Sequence, residues 1–233
     1  MYIGVDGSRG GWVVAVVDAP GVDTRFALVE CLDDVLRVAR LGRATVVIDV
    51  PIGLPDAGPR LCDLEARSLI GRQLAASVFP APCRSALRGV DDYDRACRLN
   101  HRASGRRLSR QSFHLLTRIA HVDGILAPPL QQRVREGHPE LIFRLLAHRA
   151  LVHRKKTPEG QRERQALLEA AGLRLDPHAA RIRLGPSQAG IDDILDAAAC
   201  AYAAWRVAEG RALALPLATE QRDARGLRME IVA

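Results

Sequence analysis

Lysine is nearly absent from this chain: among 34 basic residues only Lys155 and Lys156 are lysines, so its positive charge is almost entirely arginine. No apolar run approaches the roughly 20 residues that span a bilayer, which argues against a transmembrane segment and a membrane partner. Met1 leads directly into an alternating stretch rather than a basic leader with an apolar segment, so the expected location is cytoplasmic. The five cysteines, Cys31, Cys62, Cys83, Cys97 and Cys200, are odd in number, scattered and without a C-x-x-C pair. That excludes a disulfide framework and argues against a cysteine zinc site. No internal repeat is present. What remains is 48% hydrophobic residues, sufficient for a core, and a length that fits a single domain over 1–233 with a helical insertion at 56–126.

The net charge of +7 is unevenly placed, at −2 for residues 1–83, +6 for 84–118, +5 for 119–190 and −2 for 191–233. A basic middle beside acidic ends suits a polyanion such as nucleic acid held near carboxylates that bind cations. An arginine-rich composition also fits simple genomic base bias.

The carboxylates occupy telling positions. Ile3 and Val5 alternate with Tyr2 and Gly4, a strand pattern that delivers Asp6 into a glycine-rich turn before the apolar strand Trp12–Val17. Thr24–Glu30 alternates as a third strand, and Leu32, Val35, Leu36 and Ala39 give a helix. Thr45–Val50 is a buried strand carrying Asp49 and closed by Pro51. Strand–strand–strand–helix–strand, with the fourth strand parallel to the first, is how the ribonuclease H-like fold begins, and it places Asp6 and Asp49 at the same end of neighbouring strands. Residues 51–120 read as loop and helix: Arg60–Ala76 with Leu61, Leu64, Ala66 and Leu69 as its periodic residues, and Asp91–Ile125 with Arg95, Arg98, Arg102, Arg106, Arg107 and Arg110 along it and Phe113, Leu116, Ile119 and Val122 as a core stripe. Val134–His138 forms a short fifth strand, after which Pro139 and Glu140 start a helix. Lys155–Gly172 is a loop followed by a helix. Ser187–Gly210 is a helix whose buried face is expected to be Ile191, Leu195, Ala198, Tyr202 and Trp205. Asp192 and Asp196 border that face by periodicity, Asp193 points further out, and either can pair with Asp196. Three acids within five residues exceed what a helix cap requires, and a bound cation would relieve their repulsion. The tail GLRMEIVA is a candidate edge strand.

The segments VDGSRGGW, IDVPIGLP, RLCDLEAR, SVFPAP, SRQSFHLLTRI, HPELIF, KKTPEGQRER and DDILDA, in this order, resemble the domain-of-unknown-function family 429, described as a predicted nuclease of ribonuclease H-like fold. The resemblance implies an α/β architecture with a mixed five-stranded sheet, order 3-2-1-4-5, flanked by helices. More distantly, the acids resemble the magnesium ligands of Holliday-junction resolvases in the same superfamily. By that likeness Asp6 stands for the first-strand acid, Asp49 for the fourth-strand acid (a glutamate there), and Asp193 with Asp196 for a D-x-x-D-A pair. Resolvase-like chemistry further implies a possible homodimer.

The expectation is a divalent-metal-dependent nuclease. Two Mg²⁺ or Mn²⁺ ions roughly 3.5–4 Å apart would be held by Asp6, Asp49, Asp196 and one of Asp193 or Asp192. Oxygen donors suit these hard cations better than zinc. Glu140 completes the catalytic set or holds a water, and His138 beside it is placed for a proton relay. Arg9, Arg60, Arg67, Arg106, Arg107, Arg110, Lys155 and Lys156 are the expected phosphate contacts. Two rival readings use the same residues: a phosphotransferase of the actin and sugar-kinase type, whose phosphate turn would be Asp6, Gly7, Ser8 and Gly10, and a catalytically silent nucleic-acid or protein-binding module.

Overall fold

Strands β1 (Tyr2–Ser8) and β2 (Gly11–Val17) form an antiparallel hairpin in register from Tyr2↔Val17 to Ser8↔Gly11. Gly11 closes it with φ 125°, and a Cβ there would meet Val29 O at 2.4 Å, so the turn needs glycine. Strand β3 (Arg25–Val29) pairs antiparallel with β2. Helix α1 (Asp33–Arg40) then buries Val35, Leu36 and Ala39 and returns the chain to β4 (Thr45–Ile48), which lies parallel to β1. Strand β5 (Val134–Glu136) adds in parallel to β4. The order is β3-β2-β1-β4-β5, the mixed ribonuclease H-like sheet expected from the sequence.

The computed structural model describes residues 1–71 and 74–233, with the backbone alone at Ala76. They divide into two compact units, one of Met1–Asp49, Arg133–Leu213 and Val232–Ala233, the other of Val50–Gln132 and Ala214–Ile231. Arg72 and Gln73, within the helix expected over Arg60–Ala76, lie outside the described residues.

In the first unit, α5 (Pro139–Ala147), α6 (Pro158–Ala170), α7 (Pro177–Leu184) and α8 (Ile191–Ala208) follow β5. Helix α8 packs on β1, β2 and β4 while α5, α6 and α7 pack against α8. The approach to β1 is backbone to backbone, since a Cβ on Gly4 would lie 2.0 Å from Ala197 O and 2.1 Å from Ala201 N. Being covered on several sides, α8 buries Ile194, Leu195, Asp196 and the alanines from Ala197 to Ala204, whereas Tyr202 and Trp205 remain partly exposed. The buried face is therefore broader and smaller-grained than the expected stripe ending in two aromatics. The tail reaches the sheet: Val232 bridges in parallel to Gly137, and Leu213 and Ala233 exchange two backbone hydrogen bonds.

The second unit contains α2 (Leu61–Ile70), α3 (Tyr93–Ser104) and α4 (Arg110–Ile125). Helix α2 buries Cys62, Asp63, Ala66 and Ile70 and exposes Leu61, Leu64 and Leu69, so of the expected periodic residues only Ala66 faces inward. The cause is Arg60: its fully buried guanidinium binds Asp63 and the carbonyls of Ile52 and Gly53, which turns the Asp63 side inward. The helix expected over Asp91–Ile125 is two helices, interrupted by Gly105 in the left-handed region (φ 72°) and restarted by Ser109, which caps α4. Leu116, Ile119 and Val122 are buried as expected, and Tyr93 meets Phe113 edge-on at 5.3 Å.

Candidate functional site

The register of the parallel pair β1–β4 builds the site. Val5 lies opposite Ile48, and Asp49 N–H donates to Val5 O at 2.9 Å, so Asp6 and Asp49 follow one step later at the same strand ends. Side chains alternate along a strand, so both acids share the face of Gly4 and Val47, the face on which α8 lies. One turn into α8, Asp196 is buried at 1% exposure and completes a group drawn from three elements.

The three carboxylates feel one another. Burial, then Asp49 and Asp196, hold Asp6 well above the usual carboxylate range. Burial also raises Asp49, against the lowering influence of His138 and Lys155. Burial pushes Asp196 up to about 7 even though Lys155 opposes it. Uncompensated negative charge in a low-dielectric site costs enough that protons are retained.

One oxygen of Asp196, Oδ2, accepts from Lys155 Nζ at 2.7 Å; the other, Oδ1, is buried without a hydrogen-bond partner. Burial disfavours the Lys155 ammonium, but Asp196, Asp6 and Asp49 together outweigh it and keep the amine charged. Lys155, expected to contact phosphate, is thus the counter-ion of the acids. Its loop is fixed to α6: Thr157 caps the helix through Gly160 N–H, and Thr157 N–H and Oγ1 both donate to Arg154 O at 3.0 Å.

Around this centre, Asp193 is partly buried, accepts the Gly190 N–H at 2.9 Å and adds its charge to that felt by Asp6. Asp192 stands 4.0 Å from Lys156 Nζ. Glu140 accepts at both oxygens from the single Nη2 of Arg164, at 2.8 and 2.9 Å, in a buried pair. It still raises Asp49 and Asp196 through space. His138 caps α5, accepting Leu141 N–H at Nδ1, and its charge influence reaches Asp49. Cys200, one turn beyond Asp196, is a buried thiol that burial and the same three acids keep protonated. The sequence reading did not single out Arg164 or Cys200 as site residues; Arg164 meets Glu140 across 24 residues of chain, which no local pattern signals.

The other expected phosphate contacts differ in character. Arg9, Arg106, Arg107 and Arg110 are exposed, with Arg107 3.3 Å from Asp94 and Arg110 stacked over the Tyr93 ring. Lys156 is also exposed. Arg67 is partly buried and donates to Val78 O at 2.7 Å. Arg60 is buried and wholly engaged in holding its own unit together, so it is a structural tie rather than a group offered to a ligand.

Among the described residues, no three or more His, Cys, Asp and Glu side chains are placed so as to hold a metal ion as they stand. What the centre holds is three carboxyl groups with raised values, one ammonium and a buried Asp196 Oδ1 without a hydrogen-bond partner. No helix among the described residues is long and apolar enough to cross a membrane.

The family model described as "Protein of unknown function (DUF429)" matches residues 4–221. No curated protein and no solved structure matches the chain.

Proposed function

Since the chain belongs to the DUF429 family, whose description assigns no activity, we propose from the site itself that it is a divalent-metal-dependent nuclease acting on phosphodiester bonds in the cytoplasm. The observation that carries this reading is the convergence of Asp6, Asp49 and Asp196 from β1, β4 and α8, with Asp196 Oδ1 buried and unpartnered. Mg²⁺ or Mn²⁺, when bound to these oxygens, would supply an activated water and neutralise charge at the scissile phosphate.

The chain's own groups do the rest. Asp6, Asp49 and Asp196 would hold such an ion in their ionised forms. Asp193 ties the start of α8 through Gly190 and so sets where Asp196 stands. Arg164 pairs with Glu140, whose charge is still felt by Asp49 and Asp196. His138 accepts Leu141 N–H at Nδ1, and its charge influence reaches Asp49. Exposed Arg9, in the unit that carries the acids, supplies a phosphate contact without base readout.

A second reading is favoured by one contact. Lys155 already compensates Asp196, as it would in a binding module that uses the fold without chemistry. Incubating the protein with labelled branched, duplex and single-stranded nucleic acids in Mn²⁺ separates the two. The nuclease reading expects cleavage that Asp6→Asn and Asp196→Asn abolish while circular dichroism stays native. Salt-sensitive binding without cleavage supports the module instead.

A further inference from the structure

We infer that the face of α3 turned away from the core of the second unit is a docking surface for double-stranded nucleic acid, held through its phosphates by Arg95, Arg98 and Arg102 with Arg88 and Arg106 beside them. This rests on the hydrolase reading above for its substrate class, which it narrows to a duplex, and it places the contact in the second unit alone.

Helical spacing builds the surface. Ala96, Cys97 and Asn100 face inward, the first two in an apolar cluster with Ala86, Leu108 and Leu116. On the opposite side Arg95, Arg98 and Arg102 fall within about 60° of one another and span about 10 Å of helix. All three are exposed. Arg88 is exposed on the 3-10 turn Arg84–Gly89, which packs against α3, and Arg106 is exposed just past the end of α3. The turn that carries Arg106 is held from inside: buried Asn100 accepts Cys83 N–H and donates to Arg106 O, each at 2.8 Å.

These arginines differ from others on the surface in lacking an acid. Arg25, Arg37, Arg162 and Arg222 each bind a carboxylate nearby in sequence. Among the described residues the side chains of Arg88, Arg95, Arg98, Arg102 and Arg106 make no hydrogen bond or ion pair. The acids at the start of α3 are few: Asp91 is exposed, Asp92 caps the helix through Arg95 N–H, and Asp94 pairs with Arg107 at 3.3 Å. Set against the seven exposed arginines from Arg88 to Arg110, these three acids leave an excess of four positive charges. A genomic bias toward arginine raises the number of such residues but does not strip them of acidic neighbours.

A row of unpaired guanidinium groups suits phosphates, which fix position without reading bases. Single strands are held in addition by stacking on aromatic faces. Here Tyr93 lies under Arg110 at 3.9 Å and Phe113 meets it edge-on, both packed against the apolar cluster, so neither ring presents a free face. The surface therefore fits a duplex backbone.

Fluorescence anisotropy of the full-length chain with labelled DNA and RNA duplexes and their single strands, in a chelator so that nothing is cut, tests this across a range of salt. Wild type is expected to bind at least one duplex more tightly than its single strands. The combined variant Arg95→Gln, Arg98→Gln, Arg102→Gln is expected to bind about tenfold or more weakly, with the slope of log affinity against log salt reduced by about 3. The combined variant Arg37→Gln, Arg162→Gln, Arg222→Gln removes the same charge from paired positions and is expected to bind as wild type does. A preference for single strands, no binding to either duplex at low salt, wild-type affinity in the α3 variant, or an equal loss in the charge-matched variant each overturns the inference. Cleavage in Mn²⁺ is read apart from binding: cleavage without duplex preference leaves the hydrolase reading standing, and duplex binding at α3 without cleavage leaves this surface standing while that reading fails.

Discussion

Lys155 Nζ donates to Asp196 Oδ2 at 2.7 Å, while Oδ1 of the same carboxylate is buried and unpartnered. The metal-free protein thus keeps its acids together with one ammonium and retained protons. Lys155→Met is expected to destabilise the metal-free protein by about 1–2 kcal/mol near pH 8, a figure reduced because the lysine side chain is 39% exposed. Near pH 5.5 Asp196, with its pKa at about 7, is largely protonated, and the loss should shrink. Urea denaturation at the two pH values measures the difference; equal losses would mean that Nζ does not compensate Asp196.

Stability of the metal-free protein should fall as pH rises. Asp6, Asp49 and Asp196 all have raised values in the folded state, so the folded chain binds protons more tightly than the unfolded one. That stabilisation is complete below the ordinary carboxylate value of 3.8 and is lost as pH climbs through the folded value, about 7 for Asp196. The melting temperature is expected to decline between about pH 5 and about pH 8. Asp196→Asn should flatten the decline. A melting temperature that rises across this window contradicts the retained-proton description.

The Glu140–Arg164 pair offers a sharper test of what is structural. Arg164→Met strands a buried carboxylate and is expected to cost about 3–5 kcal/mol, most of it recovered in the double variant with Glu140→Gln. Denaturant midpoints of the two single variants and the double variant close the cycle. Independent, additive effects would show that the two side chains are not coupled.

Gly4→Ala should be among the most damaging substitutions in the first unit. The added methyl meets backbone atoms, Ala197 O and Ala201 N, that no side-chain rotation can move. A loss of about 3 kcal/mol or more in a chemical melt is expected, and a loss below about 1 kcal/mol would contradict the close packing of α8 on β1.

The sheet was legible because its determinants are local: alternation in Tyr2–Ser8, the continuous apolar run of β2, and a helix between antiparallel and parallel strands. Asp6 and Asp49 followed, since strand ends and register place them. The periodicity of α8 favoured Asp192 beside Asp196, and the charge of Asp193 is also felt by Asp6; Ile191, Leu195 and Ala198 are buried as expected, while the helix, covered from several sides, buries further alanines that a one-face wheel leaves out. The three leucines of α2 face outward because a buried Arg60–Asp63 pair turns the other side of the helix in, with Ala66 alone of the expected residues inside. Lys155 and Arg164 were illegible as counter-ions because their partners, Asp196 and Glu140, are remote in sequence and meet them only through tertiary packing.

Crystals soaked in Mn²⁺ and measured at the manganese edge test the central claim most directly. The account predicts an anomalous peak among Asp6, Asp49 and Asp196, in contact with Oδ1 of Asp196. A well-ordered site with Lys155 still on Asp196 and no peak beside the three acids, at Mn²⁺ concentrations that support cleavage, would contradict it.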